Sequence, residues 1–120
     1  VLSSECDVVA GPVARILTPL SVLTWPFQAQ PQIHLIDVHS NRVLEDSWTR
    51  VTATLQQLTP GGWTPMLDVL QGGLVGQAMS GSVTWSDLSF SRAPYANASS
   101  ARIVFSSFGL PDASCNLSGV

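Results

Sequence analysis

The 120-residue chain predicts an all-β domain, an antiparallel β-sandwich of about seven or eight short strands. Three observations predict it. Apolar residues alternate with Ser, Thr and Gln at a period of two, which turns successive side chains to opposite faces of a strand. Gly, Pro, Asn and Ser clusters punctuate the chain at about the 8–12-residue spacing of a sandwich. Only 11% of residues are charged while 45% are hydrophobic, which excludes disorder and suits sheets whose outer faces carry Ser and Thr.

The elements follow in order. Val13-Ala14-Arg15-Ile16-Leu17 and Leu20-Ser21-Val22-Leu23-Thr24 are short strands split by Thr18-Pro19. Proline lacks the N–H of a central ladder, so the split marks an edge or a switch of sheet. The stretch from Gln32 to Val38 is apolar on both faces for part of its length, as a central strand is. Asp37 and Asn41 then suit a reversal, since such side chains bond their own backbone and Asn tolerates left-handed geometry. From Arg50 to Gln56 the alternation sets Val51, Ala53 and Leu55 on one face. Pro65 to Gln71 is the one helix-like stretch. It is short, stops at Gly72-Gly73, and reads as strand or a single turn. Val83 and Trp85 share a strand face, with Trp85 in the core, but Leu88 and Phe90 continue on even numbers. One pleated strand cannot bury both sets on one face, so a bulge or corner is expected near Ser86-Asp87. Arg102 to Ser106 is the last clear strand.

The length fits a single domain over residues 1–120. The net charge is −3, and the five basic residues are scattered arginines. Nucleic acid, which demands a clustered cationic stripe, is excluded as a partner. A polybasic membrane patch is missing too. No apolar run reaches the roughly 18–20 residues that cross a bilayer, so no direct membrane insertion by this segment is expected. The start, Val1-Leu2-Ser3-Ser4-Glu5, lacks the charged and apolar regions of a signal peptide. The chain reads as one module of a longer extracellular protein.

Two features point to that location. The two cysteines, Cys6 and Cys115, lie near opposite ends of the chain, which suggests one disulfide linking the termini. Such a bridge belongs to an oxidising compartment and would contribute up to about 4–5 kcal/mol in the chain-entropy model. Asn97-Ala98-Ser99 and Asn116-Leu117-Ser118 are N-glycosylation acceptors. The opposing reading takes both cysteines as small buried hydrophobes of a reduced protein.

The run from Gln30 to Val43, with Ile33-His34-Leu35-Ile36-Asp37 before Ser40-Asn41, resembles immunoglobulin-like repeats of the invasin and filamin type. The resemblance continues through Val51-Thr52-Ala53-Thr54-Leu55, Gly81-Ser82-Val83-Thr84-Trp85-Ser86-Asp87-Leu88, Tyr95 and Ala101-Arg102-Ile103-Val104-Phe105. It covers about residues 12–110 and implies an Ig-like sandwich. The chain departs from the pattern where Ser40 replaces the usual Gly. Its cysteines also differ in placement from those of antibody domains, which pin the two sheets through the core. Such repeats act as spacers and as adhesive or protein-binding modules. The resemblance therefore implies protein partners: neighbouring domains of the same chain, or another surface protein.

The residues suggest no catalytic centre. His34 and His39 are five apart and face opposite sides of a continuous strand. No Gly-x-Ser-x-Gly elbow is present, and Gly72-Gly73-Leu74-Val75-Gly76 lacks the Lys and Ser/Thr of a phosphate loop. No metal and no cofactor are expected. Asp37, Glu45 and Asp46 lie close in sequence but not at the ordered spacing of a calcium loop. Three tryptophans are candidates for contact with a partner or a glycan: Trp63 in the loop after Gly61-Gly62, Trp25 beside Pro26-Phe27, and Trp48 before a strand. The expectation is a non-catalytic extracellular adhesion or structural module. Its alternatives are a carbohydrate-binding module with two tryptophans in one plane, and an intracellular filamin-type scaffold repeat with free thiols.

Overall fold

A computed structural model describes residues 13–19, 22–24, 30–91 and 100–118. Among them the chain is all-β, with strands β1 (Arg15–Leu17), β2 (Val22–Thr24), β3 (Gln32–Ile36), β4 (Arg50–Thr59), β5 (Gly62–Pro65), β6 (Leu70–Gln71), β7 (Val75–Gln77), β8 (Ser82–Thr84), β9 (Ser89–Phe90), β10 (Ala101–Ser106) and β11 (Ala113–Ser118). The smaller sheet has the order β1-β3-β8. The larger runs β2-β11-β10-β4-β5, with β7 also on β4, and β6 pairs β9 apart from both. Every pairing is antiparallel except that of β2 with β11.

Alternation explains which faces meet. Val51, Ala53 and Leu55 of β4, Ile103 and Phe105 of β10, and Cys115 and Leu117 of β11 turn inward from the larger sheet. Ile16, Ile33, Leu35, Val83 and Trp85 come from the smaller sheet and its margin, and all join one buried cluster. Trp85 packs on Phe105 across the two layers, with ring centroids 5.0 Å apart. The arrangement is consistent with a β-sandwich closed over a single core.

Proline punctuation behaves as expected. β1 lies in the smaller sheet and β2 in the larger, so the stretch holding Thr18-Pro19 is where the chain changes sheets. The parity break after Trp85 is met by a corner. β8 ends at Thr84, and β9 pairs with β6 outside both main sheets. Trp85 and Leu88 are thereby both buried. Pro65 to Gln71 holds no helix; its ends lie in β5 and β6.

Two expectations need correction. The described residues hold eleven strand segments rather than seven or eight, because short pieces such as β6, β7 and β9 carry too few residues to show a period. Trp63 lies in β5, opposite Leu58, rather than in a flexible loop. The two residues Pro60-Gly61 suffice to close the β4–β5 hairpin, with Gly62 at φ 108, and the ladder takes up Trp63.

Candidate interaction surface

Strand register collects three connections at one end of the molecule. Ile36 at the end of β3, Arg50 at the start of β4, Gln77 at the end of β7, Ser106 at the end of β10 and Ala113 at the start of β11 all fall there. Loops 37–49, 78–81 and 107–112 therefore share one pole. Five large apolar side chains stand on them, between 56% and 104% exposed: Val38, Leu44, Trp48, Met79 and Phe108. Extending the Arg50↔Gln77 register by two residues sets Trp48 opposite Met79. Ala78 N donates to Thr49 O at 2.8 Å and Ser80 N to Ser47 Oγ at 3.2 Å, holding that extension. Ser107 Oγ donates to Arg50 O at 2.7 Å and brings the Phe108 turn to the same corner.

Two buried carboxylates shape these loops. Asp37 Oδ1 accepts from His39 N at 2.8 Å and Asn41 N at 2.9 Å, the reversal the sequence suggests, with Ser40 at φ 66. Asp46 Oδ1 accepts from Trp48 N at 3.0 Å and Thr49 N at 2.9 Å, while Thr49 Oγ1 donates to Oδ2. Both carboxylates thus accept from N–H groups of their own loops. Among the described residues no group of three or more His, Cys, Asp and Glu comes together. Arg15, Arg42, Arg50, Glu45 and Asp112 are exposed around the apolar residues, and Arg15 Nη2 donates to Ser40 Oγ at 3.3 Å. Charges of both signs stand on or beside the same loops.

The other candidates scatter. Trp63 is half-buried and carries the Arg102 guanidinium over its ring at 4.1 Å. Trp48 precedes β4 and Trp63 pairs with Leu58 near its far end. Their backbone positions are therefore about 33 Å apart along the strand at ~3.3 Å per residue, too far for one sugar ring to reach both. Trp25, Cys6 and Asn97 lie outside the described residues. Cys115 is buried in the core. As a thiol it would be pushed up in pKa by burial, with a Thr18 hydrogen bond acting the other way. Asn116 is exposed on β11.

His34 and Ser82 form a pair that sequence spacing does not reveal. Nδ1 and Oγ are 2.9 Å apart across the β3–β8 ladder, within reach for a base and its nucleophile. In the Ser-His-Asp arrangement a carboxylate stabilises the cation that the imidazole becomes. Here partial burial first, and the Arg42 charge second, lower the His34 pKa. The pair makes a side-chain contact between neighbouring strands.

Of this loop surface sequence reasoning singled out Trp48 and missed Val38, Leu44, Met79 and Phe108. Their signal was faint: apolar residues beside turn residues, as in Phe108-Gly109-Leu110-Pro111 and Val38-His39-Ser40-Asn41. Scans against models of protein families and a search of curated proteins find no match to this chain.

Proposed function

We propose that this domain is a non-catalytic extracellular module, Ig-like in architecture, that makes protein–protein contacts within a larger cell-surface or secreted assembly through its loop pole. The observation that carries the reading is the gathering of Val38, Leu44, Trp48, Met79 and Phe108 on three loops at one end. Contiguous exposed apolar surface rimmed by polar residues marks interaction sites. Trp, Phe, Met and Arg, all represented here, are enriched in protein interfaces.

The strand order supports the Ig-like part. β1-β3-β8 facing β2-β11-β10-β4-β5 resembles the immunoglobulin division into an A-B-E-D sheet, with no counterpart of D beside β8 among the described residues, and a G-F-C sheet with an added C′ strand. The loops between β3 and β4 and between β10 and β11 then correspond to those that bind antigen in variable domains. The cysteine pair and the two sequons support an extracellular site.

The test is binding of the tetramerised domain to cultured cell surfaces, read by flow cytometry. A Trp48→Ser/Met79→Ser/Phe108→Ser variant is expected to lose at least about tenfold in binding, as removal of interface anchors does. Leu67→Ser, at an exposed apolar residue away from the pole, is expected to bind as the parent does. Equal binding by the triple variant and the parent would exclude the pole.

A further inference from the structure

The outer face of the larger sheet holds a cleft of about 170 Å³ lined by Gln56, Arg102, Val104, Asp112, Ala113 and Ser114. Its floor is Val104, only 6% exposed although it points outward. Register sets Arg102 opposite Asn116 and Val104 opposite Ser114. The acceptor of the second sequon therefore stands at the margin of the cleft, next along the same face from Ser114. We propose that this cleft seats a pyranose ring, the first N-acetylglucosamine of a glycan on Asn116. The inference rests on the extracellular reading above.

The lining suits that ligand. Gln56, Arg102, Asp112 and Ser114 offer both donors and acceptors to ring hydroxyls and an acetamide, and Val104 offers an apolar floor for the ring's C–H face. Arg102 is held before any sugar arrives, stacked over Trp63 at 4.1 Å with its Nε donating to Gln56 Oε1 at 3.0 Å. Such preorganisation lowers the ordering cost of binding. The volume lies below the roughly 300 Å³ at which drug-sized pockets begin, so it takes one ring and not a chain. A cleft this shallow holds free sugar weakly, whereas attachment to Asn116 supplies an effective concentration of order millimolar. The tethered sugar is therefore the favoured source of the ring.

The experiment uses the full chain with Asn97→Gln, secreted from eukaryotic cells and trimmed by endoglycosidase to a single sugar on Asn116. Nuclear magnetic resonance compares it with the chain also carrying Asn116→Gln. The sugar is expected to shift the Gln56 side-chain amide and Arg102 Nε signals and to raise Tm by about 2–4 °C. Asp112→Ala, at an exposed position, is expected to remove most of that rise. An occupied Asn116 with unmoved Gln56 and Arg102 signals, and the same Tm gain in Asp112→Ala, overturns the proposal. An unoccupied Asn116 is instead a failure of the extracellular reading. N-acetylglucosamine titrated into the Asn116→Gln chain then decides the cleft: saturable shifts at Gln56 and Arg102 make it a site for free saccharide, and their absence overturns it.

Discussion

Asp46 shows how a single side chain holds the proposed contact surface in shape. Its buried carboxylate binds two backbone N–H groups and one hydroxyl just before β4, so Trp48 is presented outward by a loop fixed from within. Asp46→Ala leaves those donors without their acceptor and is expected to cost about 2–4 kcal/mol. Urea unfolding measures the loss, and loop-mediated cell binding should fall with it. His34 supplies a pH dependence. Partial burial first, and Arg42 second, hold its pKa below the ordinary 6.5. The unfolded chain therefore takes up a proton at a higher pH than the native one does, and stability falls as pH drops from above 6.5 through the native pKa. The urea midpoint should decline across that window and decline less in His34→Gln. Asp37 was legible as a turn residue because its bonds are local, two and four residues on. The His34–Ser82 contact was not, since it joins residues 48 apart and depends on which strands become neighbours.

Elements were legible where an apolar strand pattern runs for five or more residues, alternating in β4 and buried on both faces in β3 and β10, and lost where a strand is two or three residues long. β7 exists because of its neighbours. Gly76 sits so close to Val83 and Trp85 that a Cβ there would meet Val83 Cγ1 and lie 3.3 Å from the Trp85 ring. Nothing in Val75-Gly76-Gln77 announces this; the glycine is required by the sheet facing it. Gly76→Ala is expected to destabilise by about 1–3 kcal/mol as an overpacked core does, visible as a lower urea midpoint with unchanged slope. The corner after Trp85 was legible for the opposite reason, because a change of parity in one strand is a local conflict. Trp85 Nε1 is buried without a hydrogen-bond partner among the described residues. Trp85→Phe removes that donor along with some volume, and should cost less than the roughly 3–5 kcal/mol of a tryptophan-to-alanine change.

At the scale of the whole molecule, the path of the chain decides how it would bear load. β1 begins at the loop pole, while β11 starts there and ends at the far end beside β2, with which it runs parallel. With the thiols reduced, tension applied through the two ends of the chain would pull β2 and β11 past each other along their length, loading the rungs between them together rather than one at a time. A module that spaces others in an assembly benefits from that geometry. Proline lacks the ladder N–H, and adjacent residues of a parallel strand alternate in donating to the partner. Either Val22→Pro or Leu23→Pro should therefore lower the force at which the reduced domain opens in single-molecule pulling. The same experiment reads the state of the cysteines. With Cys6 and Cys115 joined, the 109 peptide steps between them stay closed, and opening releases little chain. With both thiols reduced, the same segment would extend by about 380 Å at ~3.5 Å per residue. A release that lengthens by that amount on adding reductant is the expected outcome for the proposed extracellular module. Full-length release without reductant would mark two thiols and favour the intracellular scaffold, in which Cys115 serves only as the core residue that its burial makes it.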